Sequence, residues 1–203
     1  MLSGDTHRVI GEYSFLKFLK LYARNRSFRP LVPIRLYQRL RGSALGQMAY
    51  PILWLWHRRA TRRAGMEMPL RTDIGPAFHI SHGFGVIINE HARIGANCTI
   101  MHGATLGRAD RLDGESRTIG GCPMIEDDVW IGPHAIIVGA VTIGAGSRIL
   151  GGAVVTSDIP PRSMVAGNPG AVIKSNCARD VLNPTPIDTK YRRTHRPSAL
   201  AHQ

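Results

Sequence analysis

The 203-residue sequence predicts a mainly β protein, namely a parallel β-helix of hexapeptide repeats with an N-terminal helical cap and one excursion loop. Two observations carry this prediction. An aliphatic residue recurs every six positions over most of residues 66–175, and glycine is abundant while aromatic residues make up only 6% of the chain. A period of six fits neither an α-helix nor a plain alternating strand, but it fits short strands joined by tight turns. Three such sides close one triangular coil, and stacked coils bury a shared column of side chains.

The aliphatic column has three phases along the chain. They are Ile74, Ile80 and Val86; then Ile88, Ile94, Ile100 and Leu106; then Ile125, Ile131, Ile137, Ile143, Ile149 and Val155. A two-residue offset separates the first two phases, and the charged, glycine-rich segment 107–122 separates the last two. Because that segment is out of phase, we expect it to leave the prism as a loop, and long loops on rigid scaffolds often carry function.

The flanking segments differ in composition from the repeats. Residues 1–65 have apolar helical faces within 15–22, 31–40 and 48–56, and we expect them to cap the open end of the prism, where strand edges are otherwise unpaired. Helix breakers predict several short pieces here: Pro30, Pro33, Gly42, Gly46 and Pro51. Residues 176–203 contain several prolines and few large apolar residues, which predicts a flexible C-terminal tail.

The net charge of +12 belongs to the ends of the chain. Residues 1–65 carry +11, from 13 Lys/Arg and two Asp/Glu, whereas residues 66–175 carry −2 and residues 176–203 carry +3. Charge alone allows a nucleic-acid partner, but no RNP or zinc-finger pattern accompanies it, so none is expected. A basic, tryptophan-bearing helical surface is equally typical of a peripheral contact with an anionic membrane, or of a solvated helix face.

The cysteines and the N-terminus favour a cytoplasmic protein. The three cysteines have no CxxC spacing and an odd count, which argues against a disulfide framework. The first thirty residues contain no uninterrupted apolar run of the secretory kind.

Two histidines of the repeat region are the first candidates for a base that acts near neutral pH. His82 and His102 each lie two positions after an aliphatic residue of the column. Their separation equals one coil plus the two-residue offset, so we expect them on equivalent corners of successive coils, about 5 Å apart. Beside the loop 107–122 they would form a reactive cleft, although an inert surface histidine explains either one alone.

Four segments resemble the serine acetyltransferase branch of the hexapeptide-repeat acyltransferases, and are most similar to its small relatives that O-acetylate sugars in polysaccharide assembly. They are Gly65-Met66-Glu67-Met68-Pro69, Ile80-Ser81-His82-Gly83-Phe84-Gly85-Val86-Ile87-Ile88-Asn89, Thr105-Leu106-Gly107 and Val165-Ala166-Gly167-Asn168-Pro169. The resemblance covers about residues 30–175. It implies a left-handed helix, a homotrimer, His82 as general base and Glu67 as the acid that orients it. A surface or helix-capping carboxylate is the plainer alternative for Glu67.

Departures from that branch bear on the acceptor. The family's true serine acetyltransferases have an aspartate where Ser81 stands, and an Arg-His pair where Gly121-Cys122 stand, and these positions contact the amino acid. Their loss argues against L-serine and favours an uncharged hydroxyl, such as one on a saccharide. We assign Ser81, Asn89, His102 and Cys122 to acceptor binding. Cys122 as a nucleophile has no base assigned by spacing, and a small packed residue explains it.

The resemblance also implies acetyl-CoA as co-substrate, bound along the groove between adjacent prisms of the trimer. By position, Pro133 and Gly151 would contact the pantetheine arm, with Arg148 near the phosphates. The family's closing basic residue is Ala171 here, which leaves Lys174 as a substitute. Glycine at such corners equally serves the turn itself. No metal is expected.

The sequence leaves three alternatives to a saccharide O-acetyltransferase. Serine O-acetylation for cysteine biosynthesis is the closest of them. A zinc hydratase like the γ-type carbonic anhydrases would need three converging histidines, and His79, His82 and His102 do not reproduce that spacing. A non-catalytic prism would release no thiol from acetyl-CoA.

Overall fold

The computed structural model describes residues 1–112 and 118–186. Four helices come first, at Leu2–Ile10 (α1), Phe15–Arg24 (α2), Leu31–Leu40 (α3) and Ala44–Ala64 (α4). Short strands follow: β1 (Asp73–Ile74), β2 (His79–Ser81), β3 (Ile87–Ile88), β4 (Arg93–Ile94), β5 (Thr99–Met101), β6 (Thr105–Gly107), β7 (Ala109–Leu112), β8 (Thr118–Gly121), β9 (Met124–Ile125), β10 (Trp130–Ile131), β11 (Ile136–Val138), β12 (Thr142–Ile143), β13 (Arg148–Ile149), β14 (Val154–Val155), β15 (Met164–Ala166) and β16 (Ala171–Lys174).

The strands form three parallel faces of a prism. The first face is β1-β4-β9-β12, the second is β2-β5-β10-β13-β15 with β16 added antiparallel, and the third is β3-β6-β11-β14. Each coil pairs in register with the next, so that Ile100 lies between Ile80 and Ile131 on the second face. All thirteen aliphatic residues of the six-residue pattern are at most 4% exposed. The predicted hexapeptide β-helix is therefore confirmed.

The out-of-phase segment 107–122 forms an excursion whose base is a hairpin. Strands β7 and β8 pair antiparallel, from Ala109 opposite Gly121 to Leu112 opposite Thr118. Residues 113–117, at its tip, lie outside the described residues. The hairpin leaves the prism between the third and first faces, because β6 belongs to the third face and β9 to the first.

Helix α4 runs unbroken through two residues that the sequence predicted as breaks. The Ser43 hydroxyl caps it by accepting from the Gly46 N–H at 3.1 Å, and a Cβ on Gly46 would lie 2.1 Å from the Leu40 carbonyl oxygen. Pro51 is exposed on the outer side of the helix. The prediction of a break was wrong because packing of buried side chains such as Leu53 and His57 outweighs the cost of an internal proline, about 3 kcal/mol. The sequence patterns did not predict helix α1 as a separate element.

Helices α1 and α3 supply hydrogen-bond donors to the first coil of the prism. Arg35 of α3 donates to the carbonyl oxygens of Ile74 and Gly75 at 2.5 and 2.7 Å. Arg8 of α1 donates to the Ala77 carbonyl oxygen at 3.1 Å. These side chains satisfy carbonyl groups at the edge of the first coil, which is how the helical segment covers it.

The start of the C-terminal segment packs on the prism. The Asn97 side-chain amide is fully buried and exchanges two hydrogen bonds of 3.0 Å with the backbone of Thr185, and Arg179 pairs with Asp128 at 2.7 Å. The expected flexible tail is therefore wrong for residues 176–186, because a buried amide requires partners that composition does not reveal. Residues 187–203 lie outside the described residues. Among the described helices, none combines the length and apolarity needed to cross a bilayer.

Candidate active site

His82 lies on a widened corner between the second and third faces, which we call the histidine corner (residues 81–86, 101–104, 132–135 and 150–153). At the start of this corner, Ser81 pairs with Met101. Further along the corner, the Phe84 carbonyl oxygen accepts from the Gly103 N–H at 2.9 Å. The first coil therefore has two more residues here than the second. His82 has a left-handed backbone (φ 54°) and an exposed side chain. Such a conformation is uncommon for a residue other than glycine, and it places the imidazole at the surface of the corner.

Three imidazole rings form a column along the histidine corner. The rings of His82 and His102 have centroids 6.5 Å apart, and those of His102 and His134 are 5.1 Å apart, both in edge-to-face arrangement. His82 and His102 are neighbours, as predicted, but the distance between their rings is larger than the expected 5 Å because of the two extra residues in the first coil. Within the described residues, His102 Nδ1 is buried and has no hydrogen-bond partner.

The sequence did not assign His134 to this column. It lies three positions after Ile131 rather than two, and the hairpin hides its register with His102. Gly103 makes room for it, since a Cβ there would lie 2.3 Å from His134 Nδ1. The glycine directly after His102 is the sequence feature that could have indicated a bulky neighbour such as His134 at this corner.

Glu67 lies beside the first coil but is not joined to His82. It forms an isolated parallel bridge with Ile87, and its side chain is exposed. Across residues 1–112 and 118–186, no hydrogen bond links its carboxylate to His82. The expected orienting contact is therefore not made in this structure. The widened corner is instead held by Ser27, whose buried hydroxyl accepts from the Gly83 N–H at 3.0 Å.

The residues expected around the acceptor lie at two different corners. Ser81 and His102 lie with His82 on the histidine corner. Cys122 and Asn89 lie at the other end of the third face, where the Cys122 thiol donates to Asn89 Oδ1 at 3.2 Å. A six-residue side spans up to about 20 Å at ~3.3 Å per residue. The four residues therefore divide between two corners of one chain, with Ser81 and His102 at one and Asn89 and Cys122 at the other.

Two of the residues expected to bind acetyl-CoA continue the histidine corner. Pro133 and Gly151 occupy the same position in their coils as His102, and the neighbouring Gly152 donates its N–H to the Pro133 carbonyl at 2.9 Å. A Cβ on Gly152 would meet nothing within 4 Å. The corner is thus open at Gly152, whereas a Cβ on Gly151 would lie 3.1 Å from the Pro133 carbonyl oxygen.

The two basic residues expected near the coenzyme lie elsewhere, on the second face. Arg148 lies over the Trp130 ring at 4.7 Å and forms an ion pair with Asp180. Lys174 is exposed on β16, and Met164 pairs with both residues. The guanidinium of Arg148 is therefore already partnered, whereas Lys174 is open to solvent.

A cleft of about 520 Å³ adjoins His82 on the side of the helices. Its lining consists of Arg24, Asn25, Arg26, Ser27, His79, Ile80, Ser81 and His82. Burial, together with the smaller effects of the charges of Arg8 and His82, lowers the pKa of His79 to about 4. His79 is therefore neutral at pH 7. The sequence did not reveal that the segment after α2 reaches this site, because it is far from the repeats in the chain.

Among residues 1–112 and 118–186, no group of three His, Cys, Asp or Glu side chains, the histidine column included, is arranged so that it could hold a metal ion. Within the part of the chain that the structure describes, Cys98, Cys122 and Cys177 form no disulfide, and Cys98 and Cys177 are buried.

Comparison with known proteins finds similar repeats and similar enzymes. Residues 123–157 match the family described as bacterial transferase hexapeptide (six repeats), and residues 85–109 match the hexapeptide repeat of succinyl-transferase. The serine acetyltransferase of Bacillus subtilis is 40% identical over 134 residues, which cover 63% of this chain and 59% of that protein. That of Bacillus licheniformis is 37% identical over 134 residues, covering 63% and 60%. The chain spans about three fifths of the length of these relatives.

Solved structures agree with this similarity. Serine acetyltransferase from Brucella abortus in complex with coenzyme A superposes with a TM-score of 0.69 at 26% identity, covering 87% of this chain and 68% of that one. The soybean serine acetyltransferase complexed with serine gives a TM-score of 0.67 at 28% identity, covering 84% and 67%. The likeness to these left-handed β-helices confirms the handedness that the repeat period alone did not determine. In sequence and in fold the chain is similar to the serine acetyltransferases, and its repeats match hexapeptide-repeat transferase families over residues 85–109 and 123–157.

Proposed function

We propose that the protein is an acetyl-CoA-dependent O-acetyltransferase with His82 as its general base. The observation that carries the proposal is the placement of an exposed imidazole at the head of the same corner that continues through Pro133 and Gly151. The similarity to a serine acetyltransferase in complex with coenzyme A supports acetyl-CoA as the co-substrate. The open, glycine-bearing corner fits the close approach of a thioester arm.

The reaction is a direct transfer. The acceptor oxygen attacks the thioester carbonyl carbon while His82 takes the hydroxyl proton, a contribution of typically 10²–10⁴-fold. Collapse of the tetrahedral adduct breaks the carbon–sulfur bond, and the proton held by His82 goes to the departing sulfur. The products are an acetyl ester and CoA thiol. Glu67 would stabilise the imidazolium only after a side-chain movement that brings its exposed carboxylate to the His82 ring.

Two acceptor classes compete, and each has its own support. The curated relatives are serine acetyltransferases, which favours L-serine. Ser81 and Gly121-Cys122 replace the charged residues that the family uses for the amino acid, which favours a hydroxyl on a saccharide or glycan precursor. CoA release measured with L-serine, simple sugars, nucleotide sugars and lipid-linked glycans discriminates between the two classes.

The active unit in this proposal is a homotrimer. Asn89 and Cys122 lie one prism side away from His82, so they reach the reaction only if the corner of a neighbouring copy meets the histidine corner. A trimer with three such junctions brings the two halves of the acceptor site together. Sedimentation equilibrium tests this, and a monomer that acetylates at full rate would contradict it.

A cytoplasmic location with peripheral contact to anionic membrane completes the proposal. Three cysteines that form no disulfide among the described residues suit a reducing compartment. Helix α4 exposes Met48, Ile52 and Leu55 beside an arginine-rich end. Apolar side chains next to arginines are typical of helices that lie on a bilayer surface. Co-sedimentation with vesicles of anionic phospholipid tests this part, and binding that is absent or insensitive to salt would leave the helices as a cap only.

Replacement of the proposed base is the central test. We expect His82→Ala to lower kcat by 10²–10⁴-fold, the size of general base catalysis, without changing the oligomer. His7→Gln, which alters a histidine of α1 outside the cleft, is the matched control. Glu67→Gln should show a smaller loss, and wild-type activity in that variant would remove Glu67 from the site. Retention of activity by His82→Ala would refute the role of His82.

A further inference from the structure

We infer that the cleft beside His82 is an anion subsite that binds a carboxylate or phosphate group of the acceptor through Arg24 and Arg26. This inference rests on the proposed function, because it names the chemical class of the acceptor used at the same site. Both arginines line the cleft together with His79, Ser81 and His82.

The first argument is the state of the two guanidinium groups. Within residues 1–112 and 118–186, neither Arg24 nor Arg26 forms an ion pair or donates a side-chain hydrogen bond. Nearby Arg29 differs, since its guanidinium donates to the carbonyl oxygens of Tyr22 and Ala23. Arg29 therefore holds the end of α2, while Arg24 and Arg26 keep their donors for a ligand.

The second argument is that the segment between α2 and α3 has a fixed position against the site. Asn25 Oδ1 accepts from the backbone N–H groups of Ser27 and Phe28 at 2.9 and 3.1 Å, which closes a tight turn. Ser27 is 5% exposed, and its hydroxyl accepts from the N–H of Gly83, the residue after His82. The backbone that carries the arginines is thus fixed beside the widened corner through Ser27, so only the exposed arginine side chains have to be ordered when a ligand binds.

The third argument is the sign of charge around the cleft. None of its eight lining residues is acidic, and between Glu12 and Glu67 the chain has twelve Lys/Arg and no Asp/Glu. Arg8 adds positive charge near His79. Such a cleft attracts an anion and opposes an ammonium group. Guanidinium donors also match the planar carboxylate and the phosphate better than they match a neutral hydroxyl.

The chemistry predicts which acceptors react well. A hydroxyl acid, a uronic acid or a sugar phosphate places an anion near the arginines while its hydroxyl faces His82. L-serine satisfies the subsite through its carboxylate, but its ammonium group has no acidic partner among the lining residues. The free amine should therefore contribute nothing favourable, unlike the carboxylate.

The experiment compares matched probes with and without the anion. Binding to the full-length protein is measured by calorimetry for D-glycerate, glycerol 3-phosphate, glycerol, L-serine and L-serinamide. Acetyl transfer is followed separately as CoA release with the same compounds. The test variant is Arg24→Gln with Arg26→Gln. The control, Arg39→Gln with Arg93→Gln, removes two exposed charges that do not line the cleft.

We expect at least one probe that carries a carboxylate or phosphate to bind about tenfold more tightly than its partner without that group, a ratio equivalent to one charge-assisted hydrogen bond. The test variant should lose that preference, and the control should keep it. The carboxylate and phosphate probes show which anion is preferred. Equal binding of probes with and without the carboxylate or phosphate overturns the inference, and so does a test variant that weakens only acetyl-CoA binding.

Failure of the inference and failure of the proposed function are distinguishable. CoA release with a neutral acceptor at a rate unaffected by the test variant overturns the anion subsite and leaves the transferase standing. Arginine-dependent binding of an anionic probe without CoA release from any acceptor supports the subsite and removes the transferase.

Discussion

Removing the Asp5 carboxylate should strongly destabilise the junction between the helical cap and the prism. Asp5 and Arg35 are 0% and 3% exposed. Asp5 Oδ2 accepts from Arg35 Nε at 2.7 Å, and Oδ1 accepts from Arg35 Nη2 and from the Phe78 N–H, both at 2.9 Å. Asp5→Ala therefore leaves the buried Arg35 guanidinium without its counter-charge, although its bonds to the Ile74 and Gly75 carbonyls remain, and leaves the Phe78 N–H without its acceptor.

The magnitude follows from those contacts. Removing one partner of a buried ion pair costs about 3–5 kcal/mol, and an orphaned buried N–H adds about 1–3 kcal/mol, with incomplete additivity. We therefore expect a loss of about 5 kcal/mol in the free energy of unfolding. Since a domain has roughly 5–15 kcal/mol in total, this is a large fraction of its stability.

Urea unfolding followed by circular dichroism measures the effect, at one protein concentration because an oligomer's stability depends on it. At about 2 kcal/mol per M, the midpoint should fall by about 2.5 M. The matched control is Asp73→Ala, which removes an exposed pair with Arg41 at 3.8 Å and should cost less than about 1 kcal/mol. Arg35→Met combined with Asp5→Ala should cost about 1–3 kcal/mol less than the sum of the two single variants. A midpoint shift in Asp5→Ala no larger than that of Asp73→Ala would refute the reasoning.

Two further predictions concern the histidines. Gly103→Ala places a Cβ 2.3 Å from His134 Nδ1 at a φ of +67°, so the unfolding free energy should fall by about 1–3 kcal/mol. Adding His134→Ala should recover part of that loss, and no recovery in urea unfolding would contradict the steric cause. His79 has a pKa lowered to about 4, so the unfolded chain takes up a proton that the folded chain resists between about pH 6.5 and 4. Stability should therefore decline as pH falls through this window, and less steeply in His79→Gln; identical slopes in the two proteins would remove His79 as a cause.

The repeats were predictable because their pattern is local and redundant. Each coil requires one aliphatic side chain per side, so a single position such as Ile100 is checked by its neighbours six residues away. The helical segment was less predictable. Gly46 and Pro51 lower helix propensity locally, but packing of the buried face of α4 overrides them.

The candidate site was only partly predictable, because the repeat register determines backbone positions but not side-chain contacts. His82 and His102 follow from the register, and they are neighbours in the structure. The expected contact between Glu67 and His82 is absent from the described residues, because the register places a backbone but not a rotamer. Asn89 and Cys122 contact each other, but they lie on a different corner from His82. The reason is that the hairpin, which ends just before Cys122, is inserted at the far end of the third face.

The sequence by itself determined the prism, its column of buried aliphatic side chains and the imidazole at its corner. These follow from a short-range period that each stacked coil repeats. Only the tertiary structure decided that Ser27 and two unpaired arginines lie beside that imidazole, and that a buried Asn97 binds residues near the end of the described chain. Such contacts join segments more than fifty residues apart, and they depend on packing directions that a one-dimensional pattern does not contain.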